Sequence, residues 1–498
     1  MQWSKIARQR WQRRFLPAAV LSFITLAGVI ILGWPSSAVA NEARYYTELE
    51  FPPLAEVQIP AYERYQLENG LVVYLMEDHE LPLISGTATF RTGERYQPEN
   101  KTGLADVMGE AMRLGGTQSH DPDELNQLLE QRAASIETGV DTTAGTASFN
   151  ALSEDTETVF ELFSEVIRYP TFDPTKIDFL KNQYRGSIAR RNDDPDDIAQ
   201  REFSKLIYGS DSPYARTIEY DTLSNFDRQD ILAFYQASVR PENTILGIVG
   251  DFDPAAMKAL IAEYFGDWQP SSSSAYNFEL PTVSQAKAGV FLVNRPQLTQ
   301  SSVQMGHLGG KLNSEDYPAM SVLNEVLNGF SGRLFNQVRS QQGLAYSVYA
   351  FWAPRYDYPG TLIGGGQTRS EATVPFVKAV LDQLETVQTT PVAPAELKQA
   401  QDSVLNSFVF NFQSPEQTLS RLIRYEYYDY PSDFVFRFQK EVAAVTVENV
   451  LKAAQDNLKL DQVVVLVVGN ATEIQPPLSS LTQDAVTQID VTIPQPSA

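Results

Sequence analysis

The sequence predicts an α+β protein: two homologous α/β sandwich domains, each a mostly antiparallel sheet with helices packed on one face, joined by a linker. A long internal repeat is the first observation behind this. A helical pattern over residues 227–238 leads into the apolar run Thr244-Ile245-Leu246-Gly247-Ile248-Val249-Gly250, and a second over 446–458 leads into Val463-Val464-Val465-Leu466-Val467-Val468-Gly469. The closing glycines lie 219 residues apart, which implies duplicated domains and not a solenoid of short units. The second observation is that strand-like runs alternate with pairs of long helical stretches, the pattern of sheets covered by helices. Size agrees: 498 residues exceed one ordinary core, and 43% hydrophobic with 11% aromatic residues suffices to pack two.

Residues 1–40 read as a targeting segment. Lys5, Arg8, Arg10, Arg13 and Arg14 precede an almost unbroken apolar run over 15–34, and Ala38-Val39-Ala40 is a small-residue site of the kind signal peptidase cleaves. The run is also long enough to span a bilayer, so the segment is a signal peptide or an uncleaved N-terminal membrane anchor. Basic residues ahead of it leave the remainder exported in either case, to the periplasm or another extracytoplasmic space. Loss of residues 1–40 removes five basic and no acidic residues, leaving 34 basic against 62 acidic and a net −28. Such a surface disfavours nucleic acid and anionic lipid, and either steers basic peptides toward it or serves solubility alone. The chain has no cysteine, which excludes disulfides and thiolate metal sites.

The first domain is expected over 41–270. Residues 70–75 and 83–91 read as paired strands, residues 103–114 as a helix, and residues 156–168 and 174–191 as long helices. Residues 271–285, with Ser271-Ser272-Ser273-Ser274 and Pro281, read as the linker. The second domain is expected over 286–475. Its strands fall at 289–293 and 302–308, and its helices at 317–327, 374–387 and 395–410. Residues 476–498 are polar, proline-bearing and expected to form a flexible tail.

Two segments carry chemistry. Residues 103–117 read Gly-Leu-Ala-Asp-Val-Met-Gly-Glu-Ala-Met-Arg-Leu-Gly-Gly-Thr. Asp106 and Glu110 are four apart and share a helix face, but they are hard, like-charged oxygen donors suited to calcium or magnesium more than to zinc. Gly109, beside Glu110, offers no side chain for proton transfer. The only histidines, His79, His120 and His307, are scattered and expected to be surface or hydrogen-bonded residues. In the second segment, residues 331–342 read as a helix ended by Gly343, and Tyr346-Ser347-Val348-Tyr349 opens a strand. Arg339 near the helix end and Tyr346 at the strand entrance can aim at one point, as paired donors for a carbonyl or developing oxyanion.

Both segments resemble the insulinase/pitrilysin family of zinc peptidases. There the first helix reads Gly-Leu-Ala-His-x-x-Glu-His and runs on to Gly-Thr. This chain keeps Gly103, Leu104, Ala105, Gly116 and Thr117 but has Asp106 and Glu110 at the two ligand positions and Gly109 at the general-base position. The family's third ligand, a glutamate roughly 75 residues on, matches the stretch Arg185-Gly186-Ser187-Ile188-Ala189, which holds no carboxylate. The run from Asn328 to Val348 resembles the C-terminal signature, and Arg339 and Tyr346 match its arginine–tyrosine pair in type and spacing. Gly329, Ser331 and Gly332 match a glycine-rich loop that non-zinc subunits use for peptide contact. The resemblance implies no cofactor in this chain. It implies a homologous partner bearing His-x-x-Glu-His and zinc, with a peptide or unfolded protein as substrate and Arg339 and Tyr346 supplied in trans. The alternative it leaves open is a non-catalytic scaffold or peptide-binding protein of the same fold.

Overall fold

The computed structural model describes residues 57, 59–270, 279–285, 287–329 and 331–495. The leader at 1–40 and most of the linker, 271–278, lie outside the described residues.

The first half holds six strands: β1 (Glu63–Gln66), β2 (Val72–Glu77), β3 (Leu83–Phe90), β4 (Ser135–Val140), β5 (Gly145–Leu152) and β6 (Thr244–Gly250). Its helices are α1 (Leu104–Leu114), α2 (Pro122–Glu130), α3 (Thr156–Arg168), α4 (Pro174–Arg190), α5 (Pro195–Tyr208), α6 (Tyr220–Ser224), α7 (Arg228–Ser238) and α8 (Pro254–Phe265). The second half adds strands β7 (Gly289–Asn294), β8 (Gln300–Leu308), β9 (Ala345–Ala353), β10 (Thr361–Arg369), β11 (Val464–Gly469) and β12 (Thr487–Gln488). Its α-helices are α9 (Tyr317–Asn328), α10 (Thr373–Thr389), α11 (Pro394–Ser407), α12 (Pro415–Tyr427), α13 (Phe434–Ala444) and α14 (Val447–Asn457).

Several helices begin where an N-capping side chain meets a proline that forgoes an unneeded N–H. Asp173, Asp194, Asp253 and Ser414 each accept a backbone N–H, and each is followed by proline.

The repeat is exact in topology over five strands. Sheet one runs β1-β2-β6-β3-β5-β4 and sheet two runs β12-β7-β11-β8-β10-β9. In each, a parallel pair, β2 with β6 and β7 with β11, is followed by antiparallel neighbours out to β4 and β9. Only the outermost strand breaks the match: β1 joins antiparallel to β2, whereas β12 joins parallel to β7. That strand comes from the segment expected to be a flexible tail. Residues 476–495 instead lie on the body of the protein, with Leu478 buried and Asn192 donating to the Val491 carbonyl at 2.6 Å.

One face of each sheet is covered by that half's own helices. Phe149, Phe160, Phe163 and Phe265 centre the first core, and Val338, Trp352, Phe376 and Val467 belong to the second. The other faces are covered by exchange. Helix α5 of the first half lays Ile198, Phe203 and Ile207 on Phe291, Val464 and Leu466 of sheet two. Helix α12 of the second half lays Leu419, Leu422 and Ile423 on Met76, Ile245 and Val249 of sheet one. The first residues of these helices, Pro195 and Pro415, are 220 positions apart, essentially the offset of the closing glycines. Burying two apolar helix faces in this way makes residues 57–498 one compact unit.

Candidate functional site

Helix α1 starts at Gly103, whose φ of 103° suits only glycine comfortably. The Gln97 side chain caps it, its Oε1 accepting from Gly103 N at 3.1 Å and Ala105 N at 2.9 Å. Asp106 therefore sits in the first turn, where the helix dipole favours an acid. Beside it lies Glu94, on a short 3₁₀ turn (Glu94–Tyr96) held to the β4–β5 turn by Glu94 N to Asp141 O at 2.9 Å and Arg95 N to Thr142 O at 3.3 Å. Thr142 Oγ1 donates to Glu94 at 3.1 Å. The Glu94 and Asp106 carboxyls are neighbours, each acting on the other's proton affinity.

Burial, and then the neighbouring Asp106 charge, push the Glu94 carboxyl up to about 8. Burial also raises Asp106, and Glu110 on the next turn adds to the rise. Glu110 accepts a 2.5 Å hydrogen bond from the Tyr184 hydroxyl of α4. Burial and the Asp106 and Glu110 carboxyls hold that phenol well above its ordinary range.

Asp106 and Glu110 thus share a face as expected, but in a cluster with Glu94 and Tyr184 that sequence spacing did not single out. Tyr184 lies 74 residues after Glu110. The expected separation of the third ligand therefore points to it, one residue ahead of the stretch 185–189.

This donor set does not fit zinc. Its oxygens are engaged with one another and with a phenol, and among the described residues no group of three His, Cys, Asp or Glu side chains is arranged to hold a metal ion. The general-base position is closed by packing as well. A Cβ on Gly109 would lie 2.6 Å from Val140 N and 2.8 Å from the Gly139 carbonyl carbon, and Thr138 Oγ1 donates to the Gly109 carbonyl at 2.6 Å. Helix α1 can press on β4 this closely because residue 109 is glycine.

Arg339 and Tyr346 are found together. Residues Phe335–Gln341 form a π-helix, a wider turn than the α-helix the pattern suggests and one common at functional positions. Gly343, at φ 62°, ends it and turns the chain into β9. The Arg339 guanidinium stacks on the Tyr346 ring at 4.7 Å and on Phe335 at 4.9 Å, while Tyr346 itself is 82% exposed. Neither residue lines the cavity of about 510 Å³ between the halves, which is bounded by Thr87, Thr142, Tyr356 and Tyr428 among others. The pair occupies the outer edge of sheet two, pointing to solvent.

Gly329, Ser331 and Gly332 lie between α9 and the π-helix. Gly332 N donates to Gly329 O at 2.6 Å, Gly332 is buried, and the exposed Ser331 accepts from Gln399 at 2.7 Å. The histidines have ordinary partners: His79 lies 2.7 Å from Asp251, His120 lies 2.9 Å from Glu165, and His307 is buried between the Leu308 carbonyl and Lys459 N.

Residues 83–221 match the insulinase (peptidase family M16) domain, and residues 225–404 match the peptidase M16 inactive domain. The chain belongs to peptidase family M16. Among its relatives, the uncharacterized zinc protease YmxG of Bacillus subtilis is 23% identical over 363 residues, covering 72% of this chain and 86% of that protein. An uncharacterized zinc protease of Mycobacterium tuberculosis is 26% identical over 317 residues, covering 61% and 70%. The fold of the M16 chain is similar to that of a peptidase M16 inactive domain from Pseudomonas fluorescens, with a TM-score of 0.75, 24% identity, and coverage of 84% of this chain and 100% of that one. It is also similar to the periplasmic protease PqqL from Escherichia coli, with a TM-score of 0.69, 17% identity, and coverage of 92% and 51%.

Proposed function

We propose that this M16 chain is the non-zinc subunit of an exported heterodimeric peptidase. It binds extended peptide and presents Arg339 and Tyr346 to a homologous, zinc-bearing partner. One contrast carries the reading: at the family's metal position the carboxyls are engaged with one another, while the arginine–tyrosine pair is preassembled and left open to solvent. A guanidinium and a phenol held together are donors for a scissile carbonyl and its oxyanion. The partner supplies His-x-x-Glu-His, the distal glutamate and zinc. This chain holds and polarises the peptide.

The outer strands β4 and β9 each pair on one side only, so either offers backbone groups to an incoming strand. Such pairing reads backbone more than side chains, which suits unfolded protein as substrate. The net charge of −28 left after residues 1–40 favours basic peptides. Export rests on the leader and agrees with the periplasmic location of one structural neighbour. No helix among the described residues is long and apolar enough to cross a membrane.

The exposure of Tyr346, away from the cavity between the halves, favours a second reading in which the chain is a scaffold without a catalytic part. Reconstitution with a partner bearing His-x-x-Glu-His separates the two. Arg339→Ala is expected to lower partner-dependent peptide hydrolysis by about 10²–10³-fold, the scale of losing one oxyanion donor. Unchanged turnover in that complex leaves the scaffold.

A further inference from the structure

Helix α12 covers only part of the sheet face it packs on. A Cβ on Gly247 of β6 would lie 2.2 Å from Ile423 Cδ1, so the glycine lets α12 settle onto β6. Strand β3 beside it alternates. Ile84, Ala88 and Phe90 belong to the first core, while Ser85, Thr87 and Thr89 face the other way and stay half-buried. Between these hydroxyls and α12 lies the cavity of about 510 Å³, the size of a small-ligand site. The three hydroxyls make no side-chain hydrogen bond among the described residues, so the floor offers open donors and acceptors.

The trough has unlike ends. Helix α12 runs beside β3 in the same direction: Glu416 in its first turn borders a second hollow with Leu83, Ile84 and Ser85, at the start of β3. Tyr427, its last residue, donates to the Thr143 carbonyl at 2.6 Å and lies 3.4 Å from the Phe90 carbonyl, at the end of β3. Glu416 and Arg424 both line the cavity, and their eight-residue separation is about 12 Å along a helix. The β9–β10 loop closes the Arg424 end, its Tyr356 stacked on Tyr428 at 4.6 Å, and adds Arg355 to the lining. Among the described residues, Glu416, Arg424 and Arg355 have no ion-pair or side-chain hydrogen-bond partner. The same loop brings Asp357, whose Oδ2 pairs with Arg95 at 2.8 Å while its buried Oδ1 has no hydrogen-bond partner. An orphaned acceptor on the wall of an open cavity points to a ligand that donates to it.

We propose that this trough binds a short peptide with both termini free, its ammonium group at Glu416 and its carboxylate at Arg424 and Arg355. An extended chain covers about 3.3–3.6 Å per residue, so the span takes about three or four residues. The backbone groups of the guest meet the β3 hydroxyls and Asp357 Oδ1. Leu419 and Ile423 of α12 line the opposite wall and cover its side chains. A mid-chain segment of a longer protein carries neither end charge and is discriminated against. Binding needs this chain alone; only the origin of such peptides, as products of the proposed complex, rests on the function proposed above.

The test is calorimetric titration of the full chain, without a partner, with the peptide Ala-Ala-Ala-Ala. Saturable one-to-one binding is expected. The N-acetylated and the C-amidated forms should each bind about tenfold more weakly, the weight of one charge-assisted hydrogen bond. Glu416→Gln should remove the penalty for acetylation and keep the one for amidation, and Arg424→Gln combined with Arg355→Gln should do the reverse. All three side chains are exposed, so the variants retain the fold. Absence of saturable binding, equal binding of the blocked peptides, or unchanged end-group penalties in the variants would overturn the proposal. The Arg339→Ala measurement in the reconstituted complex is independent of each of these outcomes, so either reading can fail alone.

Discussion

The carboxyl cluster of the first half and the arginine–tyrosine pair of the second occupy comparable places, yet they face opposite ways. Each lies where a helix (α1 or the π-helix) meets the outer strand of its sheet. In the first half the helix presses on the strand through Gly109, and the charged groups turn inward to one another. In the second half Gly343 ends the π-helix in a left-handed turn, and the Arg339 guanidinium lies against the exposed Tyr346 ring. The lesson is that packing at a single position decides whether a polar group is consumed by the fold or offered to another molecule.

The comparison breaks most readily where the halves meet at Arg95, whose guanidinium lies 2.8 Å from Asp357 on the loop between β9 and β10. Arg95→Met leaves the half-buried Asp357 carboxylate without its partner and should cost up to about 3 kcal/mol in urea unfolding. A loss within error of zero would mean that the halves do not depend on this contact. Next come the two glycines. Gly109→Ala forces a methyl group against the β4 backbone and should cost about 1–3 kcal/mol. Gly343→Ala meets nothing within 4 Å. Its cost should be only the left-handed backbone penalty, about 1–2 kcal/mol. Equal losses would mean that α1 does not press on β4.

The two halves should also fail at opposite ends of the pH scale. Glu94 is raised from its ordinary 4.5 to about 8, so the folded state holds a proton the unfolded chain releases. Stability from that proton is full below about 4.5 and is lost as pH rises through about 8. His307 in β8 is lowered, first by burial, so the folded state resists a proton the unfolded chain accepts. Its contribution is full above about 6.5 and is lost as pH falls below that. Hydrogen exchange resolved by peptide should show sheet one weakening in alkali and sheet two in acid, and loss of both together at one pH would contradict this. The smallest expected effect is at the exposed ring: Tyr346→Ala should change stability by less than about 0.5 kcal/mol. A large loss would make Tyr346 a structural residue and weaken its presentation to a partner.

Much of this architecture was legible beforehand. Strand runs with alternating burial, helices opened by Asp-Pro or Ser-Pro, and the 219-residue offset all report local periodicity and capping, which act within a few residues. The neighbours of Asp106 were not legible, because Glu94, itself held by Thr142, reaches it through tertiary folding and Gln97 through a turn no motif marks. Tyr184 was within reach of spacing alone but carries no carboxylate, so a search for a metal ligand passes over it. The tail was misread for the opposite reason: a polar, proline-bearing composition says little about a two-residue strand held by backbone pairing.

The exchange of α5 and α12 was hidden too, since an apolar helix face declares that it needs a cover but not which sheet provides it. It has a consequence for biogenesis. As the chain emerges from N- to C-terminus, α5 is made long before β7, β8 and β11 exist, so Phe203 and its neighbours wait in water with no seat. The first half therefore cannot finish maturing until synthesis of the second is nearly complete, and in that interval a holding chaperone has a defined surface to guard.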